Sequence, residues 1–182
     1  MSEDLDTAVI SQPMGLTGWL VIELHDEAGN LKHYQATKNL VTTAGDQYYA
    51  TRGANSVVPG GPSDPAKVTG MKLGNSSTAA AKSSTGAALV TYKTGSNVVF
   101  DAAFPTVTAN GGDTGYNINY RVTWPAGTAT DAALTEVAIV NDASTNLTST
   151  AANTIARATF TAVNKGASDS LTISWSHLFL GA

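Results

Sequence analysis

Apolar and polar residues alternate with a period of two along much of this chain. In residues 171–180, Leu171, Ile173, Trp175 and Phe179 share one parity, and hydroxyl-bearing residues hold most of the other. Successive side chains of a β-strand point to opposite faces, so the alternation is typical of a strand with one face in a core. The same reasoning predicts strands at 18–25, 31–38, 69–74, 89–93, 98–104, 116–124, 134–140, 154–160 and 171–180.

One helix is predicted between the second and third of these strands. Thr42 and Thr43 are suitable N-caps for a helix over residues 44–52, and Gly53 is a typical residue at a helix end. Many short strands separated by turn-forming residues, with one minor helix, favour a mainly β fold. We therefore expect an antiparallel β-sandwich or jelly-roll-like domain.

The inward-facing positions of the predicted strands define the expected core. Their side chains should be removed from water, and truncating a large one should open a destabilising cavity. The predicted core residues are Leu20, Ile22, Leu24, Phe100, Phe104, Ile118, Tyr120, Val122, Val137, Ile139, Phe160, Ile173 and Trp175.

The first 16 residues show no periodicity, and Pro13 and Gly15 interrupt them. We therefore expect an extended N-terminal arm over residues 1–16 and a single β-sandwich domain over residues 17–182. Apolar side chains with nothing local to cover them become ordered when a partner supplies the missing surface. The arm residues expected to bind such a partner are Leu5, Val9, Ile10, Met14 and Leu16.

Composition narrows the classes of function. Charged residues make up 13% of the 182 residues, against about 25% in an ordinary soluble domain. So little charge fits a subunit partly covered by neighbours and an ordinary stable sandwich about equally well. The net charge is −4 and the Lys and Arg residues are scattered, which argues against direct nucleic-acid binding because that needs clustered cations. No apolar stretch is long enough to span a membrane, so we expect no membrane association.

Side chains suited to catalysis or metal binding are few. The chain has no Cys and three His, namely His25, His33 and His177. A five-residue hairpin turn would bring His33 near Glu23, which could form part of a metal site, but two ordinary surface histidines are the favoured interpretation. His177 shares the parity of its apolar neighbours, which favours a structural or interface role. We find no nucleophile with a base and an orienting acid, and we expect neither an enzyme nor a bound metal or cofactor.

Two opposite charges lie in otherwise apolar or small-residue strands. Glu136 lies within the predicted strand 134–140, and Arg157 within 154–160. A charge on a covered face needs a partner, so we expect a structural ion pair between Glu136 and Arg157 if these strands are neighbours. The alternative places both on a solvated face, where a pair would contribute little.

Six short stretches follow one another in a characteristic order: NLVTTAG (39–45), MKLGN (71–75), LTEVAIV (134–140), ARATF (156–160), VNKG (163–166) and DSLTISW (169–175). This order resembles small β-rich virion proteins of tailed bacteriophages, over most of residues 18–178. The resemblance implies a structural role and supplies no catalytic residues.

The resemblance does not choose between head and tail roles. The length suits one compact domain and not the long shaft of a fibre, so we expect a capsid decoration or cement protein of the virion, assembled in the host cytoplasm. Its partners would be the major capsid protein or other virion proteins, and it would self-associate, with a trimer favoured. The nearest alternative is a tail-fibre or baseplate component that binds the host surface, which exposed Tyr and Trp at loop tips would favour. A glycan hydrolase on a jelly roll is the alternative of another class, and it would need paired carboxylates in a cleft.

Overall fold

Ten strands and one α-helix make up the computed structural model, which describes residues 16–56, 65–111 and 115–179. The helix, α1, spans Thr43–Ala54, and a single 3₁₀ turn spans Thr85–Ala87. The strands are β1 (Leu16–His25), β2 (Leu31–Lys38), β3 (Leu40–Val41), β4 (Gly70–Gly74), β5 (Val98–Val99), β6 (Thr106–Ala109), β7 (Tyr116–Trp124), β8 (Asp131–Val140), β9 (Thr154–Lys165) and β10 (Ser170–Phe179).

The strands form two five-stranded antiparallel sheets. Sheet 1 has the order β2-β1-β10-β7-β6, and sheet 2 has the order β3-β9-β8-β4-β5. The inward faces of both sheets contribute to one hydrophobic core, as in a β-sandwich. The predicted mainly β, antiparallel sandwich is therefore confirmed, and the finer jelly-roll description stays a prediction.

The centre of sheet 1 shows why the alternating residues become strands. In β1, Leu20 lies opposite Trp175 of β10, and Ile22 lies opposite Ile173. Directly opposed side chains share a face, so the apolar parity of both strands enters the core together. β1 begins at Leu16, which lies opposite Phe179.

Leu16 therefore belongs to a strand, although the sequence places it in the N-terminal arm. Its ten-residue strand pairs with β10 along its whole length, which extends the sheet two residues before the predicted start. The other arm residues of interest lie outside the described residues, so their role stays a prediction; they are Leu5, Val9, Ile10 and Met14.

Two predicted strands are wrong or too long. Residues 89–93 form only one isolated bridge, between Tyr92 and Gly74 at the end of β4, because the N–H groups of Val90 and Thr91 donate to the Glu136 carboxylate instead of to a ladder. The strand predicted over 98–104 ends at Val99. Beyond it Ala103 has a φ of 70°, which is incompatible with an extended chain.

The helix begins at Thr43, one residue before the predicted start, and ends two residues later than predicted. Thr42 is the N-cap, and its Oγ1 accepts a hydrogen bond of 3.1 Å from the Gly45 N–H. The residue that caps the C-terminal end of the helix is Asn55, which has a φ of 48°, and not Gly53. Gly45 is needed for close packing on sheet 2, because a Cβ there would lie 2.1 Å from the Ile155 carbonyl oxygen.

Ten of the thirteen predicted core residues are buried, and the other three are only half-buried. Phe100, Phe104 and Ile118 are half-buried. Phe104 lies in the irregular segment after β5, where the Arg121 guanidinium stands 4.6 Å from its ring centre. The remaining ten predicted residues are buried, and Trp175 is among the largest fully buried side chains.

Candidate functional site

The outward face of sheet 2 is covered by the chain itself. Residues 75–97, which connect β4 to β5 and which we call the covering segment, cross this face beside the β8–β9 loop, residues 141–153. Leu89 of the covering segment forms a small second core with Ala138 and Val140 of β8. The part of this face around Ala138 and Val140 is therefore unavailable to a partner, whereas Thr161, further along β9, is exposed.

The predicted ion pair lies under the covering segment. Arg157 Nη2 is 2.6 Å from Glu136 Oε2, and Arg157 Nε is 3.0 Å from the same oxygen. Both side chains are fully buried. Arg157 lies opposite Ala138 and Glu136 lies opposite Thr159, so the two charges are diagonal neighbours on one face. The expected Glu136–Arg157 pair is confirmed.

The remaining hydrogen bonds of this pair hold the covering segment in place. A buried charge pair is tolerated when its other donors and acceptors are also satisfied. Glu136 accepts from the backbone N–H groups of Val90 and Thr91, at 3.1 and 2.8 Å, and Arg157 donates to the carbonyl oxygens of Gly86 and Thr78, at 3.2 and 2.8 Å.

A further buried charge, which sequence reasoning missed, fastens the β8–β9 loop. Lys72 of β4 is fully buried, and its Nζ lies 2.9 Å from Asp142 Oδ1. It also donates to Thr145 Oγ1 at 3.1 Å and to the Leu147 carbonyl oxygen at 2.9 Å. The sequence did contain a signal for this contact, because Lys72 is the one charged residue in the apolar strand 69–74. A charged side chain in such a strand needs partners if the face it points to is covered.

His177 is the centre of a buried neutral network between α1 and sheet 1. Its Nδ1 is 2.6 Å from the Tyr49 hydroxyl, its Nε2 is 2.9 Å from Asn39 Nδ2, and the Tyr49 and Tyr120 hydroxyls are 2.9 Å apart. Burial lowers the pKa of His177 to about 3 and raises the pKa of Tyr49 well above its usual value. The structural interpretation of His177 agrees with this full burial.

The outward face of sheet 1 carries no covering segment among the described residues. Trp19 of β1 is 51% exposed and Tyr34 of β2 is 59% exposed. Tyr34 lies opposite Glu23, and Lys38 lies opposite Trp19, where its Nζ stands 5.3 Å from the indole ring centre. With Val21 between them, these side chains give one half of the face an aromatic and aliphatic character.

The other half of this face is a ladder of hydroxyl and amide side chains. Neighbouring strands exchange hydrogen bonds across it, which fixes the side chains without adding charge. The cross-strand pairs are Thr123 with Thr172 at 3.2 Å, Asn119 with Thr108 at 3.0 Å and Ser176 with Asn117 at 3.3 Å. The uncovered face of sheet 1, which joins these two halves, is the candidate interaction surface.

The histidine pair considered for metal binding does not form a site with Glu23. His33 lies opposite Leu24, and Glu23 lies opposite Tyr34. Directly opposed residues share a face, so His33 and Glu23 point to different sides of sheet 1. Among the described residues, no group of three or more His, Asp or Glu is placed to hold a metal ion.

Within the described ranges, no helix is long and apolar enough to cross a membrane. Comparison of the chain with protein-family models, with curated proteins and with solved structures gives no match.

Proposed function

We propose that this chain is a structural subunit of a bacteriophage virion, a decoration or cement protein that attaches to the capsid through the uncovered face of sheet 1. The observation that carries the proposal is the difference between the two outward faces. On the outward side of sheet 2, the covering segment packs over the sheet and is held by two buried cations, Lys72 and Arg157. On the outward side of sheet 1, Trp19 and Tyr34 are exposed.

The composition of this face suits a protein contact. Interface centres are enriched in aromatic residues and depleted of charge. The charged residues that sheet 1 places on this face are Glu23, Lys38 and Arg121, and Arg121 is already bound to Asp101 at 2.8 Å. The hydrogen-bonded ladder lowers the entropy that docking would cost, because those side chains are ordered before a partner arrives.

The size of the face fits repeated attachment better than one strong interface. Five strands of four to ten residues, about 4.8 Å apart and with a rise of about 3.4 Å per residue, give a face of at most roughly 600 Å². A stable interface buries about 800 Å² on each partner. Many copies on a lattice would add their weak contacts through avidity, which is the mechanism we propose for stabilising the head.

Locating the chain in purified phage particles by cryo-electron microscopy tests the role directly. We expect density for the sandwich on the outside of the capsid, with sheet 1 facing the shell. Density at the tail tip or baseplate would instead support the host-binding alternative. Absence of the chain from purified particles would reject both virion roles.

A pair of variants tests the face itself. Trp19→Ser removes an exposed indole from the proposed contact, and we expect capsid occupancy to fall at least tenfold. Leu147→Ser is the matched control, because Leu147 is 68% exposed and lies in the loop that covers sheet 2. Equal occupancy of the two variants would show that sheet 1 is not the attachment face.

The proposed role is not enzymatic. A glycan hydrolase would need two carboxylates facing one another across a cleft. In the described residues, Asp101, Asp142 and Glu136 are each bound to Arg121, Lys72 or Arg157. These contacts favour structural roles for the carboxylates. An assay for hydrolysis of capsule and cell-wall glycans tests this interpretation, and detectable hydrolysis would contradict it.

A further inference from the structure

A groove lies where the edge of sheet 1 meets the edge of sheet 2. One part, of about 450 Å³, is lined by residues that include Lys32, His33 and Asn164. A second part, of about 370 Å³, is lined by residues that include Gln35 and Thr161. Both parts run between β2 and β9, and we call them together the β2–β9 groove.

Three polar side chains of β2 border this groove, and two of them carry a buried atom without a partner among the described residues. His33, Gln35 and Thr37 lie opposite Leu24, Ile22 and Leu20 of β1, so they have the inward parity of sheet 1. His33 Nε2 and Gln35 Oε1 are buried, and neither has a hydrogen-bond partner in the described part of the chain. Buried polar atoms of this kind need a hydrogen-bonding occupant.

Both walls of the groove are strand edges with unpaired backbone. Among the described residues, β2 pairs with β1 alone, and β3 pairs with β9 only at Ala156 and Arg157. The part of β9 after Arg157 therefore has no strand beside it on the groove side within the described ranges. Free edges of this kind bind an added strand through main-chain hydrogen bonds.

We propose that residues 1–15 of a second copy of this chain dock as an extended strand in the β2–β9 groove. The segment has the needed chemistry: residues 5–10 read LDTAVI, without Gly or Pro and with three β-branched residues. Pro13 and Gly15 then separate this stretch from β1. The five residues 11–15 reach at most about 17 Å.

The proposed segment is acidic, and the charged side chains of the groove lie at one end of it. The segment begins with three acidic residues, Glu3, Asp4 and Asp6, and contains no Lys or Arg. Lys32, whose side chain is 45% exposed, lies at one end of the groove beside His33. Lys32 binds Asp169 at 2.7 Å, and Asp169 lines the same part of the groove, so the charge of Lys32 is already largely neutralised and contributes little to docking.

The corner between the groove and β1 favours a second copy over the same chain. Asn39, which leads from β2 to β3, donates its N–H to the Gly18 carbonyl oxygen at 3.2 Å. β1 begins at the end of the sheet where β2 finishes, since Trp19 lies opposite Lys38. A segment that continues β1 backwards from Leu16 therefore leads away from its own groove, and it would have to reverse direction around the end of β2 to enter it.

Disulfide trapping tests the proposal on the full chain, which has no Cys of its own. A Val9→Cys chain is mixed with a Thr161→Cys chain that carries a different tag, and the mixture is mildly oxidised. We expect a mixed disulfide dimer in at least tenfold higher yield than with the control Leu147→Cys, because a disulfide needs Cα atoms within about 7 Å. The double variant Val9→Cys/Thr161→Cys alone distinguishes exchange between chains from folding back.

Hydrogen exchange provides a second measurement that does not depend on register. Docking should slow amide exchange in residues 31–38 and 158–165 as the protein concentration rises. An internally linked monomer of the double variant, equal dimer yields with the control, or exchange that is independent of concentration would each overturn the proposal. The proposal does not depend on the virion role, because it is tested without capsids.

Discussion

At the scale of single residues, the informative side chains are buried and polar. Glu136, Arg157 and Lys72 lie on a face that their own chain covers, and His177 lies in the core. Each has partners placed to meet its hydrogen bonds, as a buried polar group requires. Their positions follow strand parity, and their burial follows from what packs above them.

The buried and exposed arginines should differ in their contribution to stability. Arg157→Met leaves Glu136 as a buried charge without its cation, and we expect a loss of about 3–5 kcal/mol in the free energy of unfolding. Arg121→Met is the matched control, because the Arg121 side chain is 44% exposed and binds Asp101; we expect at most about 1 kcal/mol there. Urea denaturation measures both, and similar losses would show that the pair is not the support of the covering segment.

The His177 network predicts a pH dependence of stability. The folded pKa is lowered to about 3 by burial, so between pH 6.5 and 3 the unfolded chain binds a proton that the folded chain does not. The contribution of His177 to the free energy of unfolding is therefore complete above pH 6.5. It decreases as the pH falls towards 3, with a limiting slope of about 1.4 kcal/mol per pH unit.

His177→Gln removes this titration. We expect the variant to be less stable at neutral pH, because the contacts to Tyr49 and Asn39 are disturbed, but to show a flatter dependence between pH 4.5 and 6. Denaturant midpoints measured at several pH values give the two slopes. Equal slopes would mean that the folded protein protonates His177 as readily as the unfolded chain.

At the scale of elements, α1 depends on one residue at its start. Thr42 Oγ1 accepts from the Gly45 N–H and donates to the Thr154 carbonyl oxygen of β9. The residue therefore caps the helix and also joins it to sheet 2. Thr43, the next residue, is exposed.

Replacing each of these two threonines with alanine distinguishes the effect of losing the N-cap from the effect of changing helix propensity. Thr42→Ala loses the cap and the contact with β9, and we expect a loss of about 1–2 kcal/mol in the free energy of unfolding. Thr43→Ala should change stability by less than about 0.5 kcal/mol. Thermal unfolding followed by circular dichroism measures both, and an unaffected Thr42→Ala would show that the helix is held by packing alone.

At the scale of the whole molecule, the two outward faces and the β2–β9 groove set the possible contacts. One face is closed by residues 75–97, and the other exposes Trp19 and Tyr34. With 13% charged residues, a free monomer would have little electrostatic protection against association.

We therefore expect self-association in solution, with a trimer favoured. Arm exchange between chains is head-to-tail, and such contacts close into a ring when the rotation allows it. Light scattering at several concentrations measures the mass. The matched comparison is a chain beginning at Leu16, which retains all of β1 and should be monomeric. Monomers at every concentration for the full chain would contradict the expectation.

The sequence by itself determined the strands with a clear parity and identified Glu136 and Arg157 as candidates for an ion pair. The alternation in β7 and β10 predicts both strands and their inward residues, because side-chain direction in a strand depends only on parity. Glu136 and Arg157 could be paired because an outward charge within an apolar strand needs a partner once it is covered. The Thr42 cap is equally local, since it depends on residues three apart.

Only the tertiary structure decided which faces are covered and which edges are free. Residues 89–93 have a strand-like composition, yet two of their N–H groups bind Glu136, a residue more than 40 positions away along the chain. Burial of Lys72 and the open β2–β9 groove depend in the same way on long-range packing. Parity assigns a side chain to a face, but whether that face meets water depends on contacts that no local pattern contains.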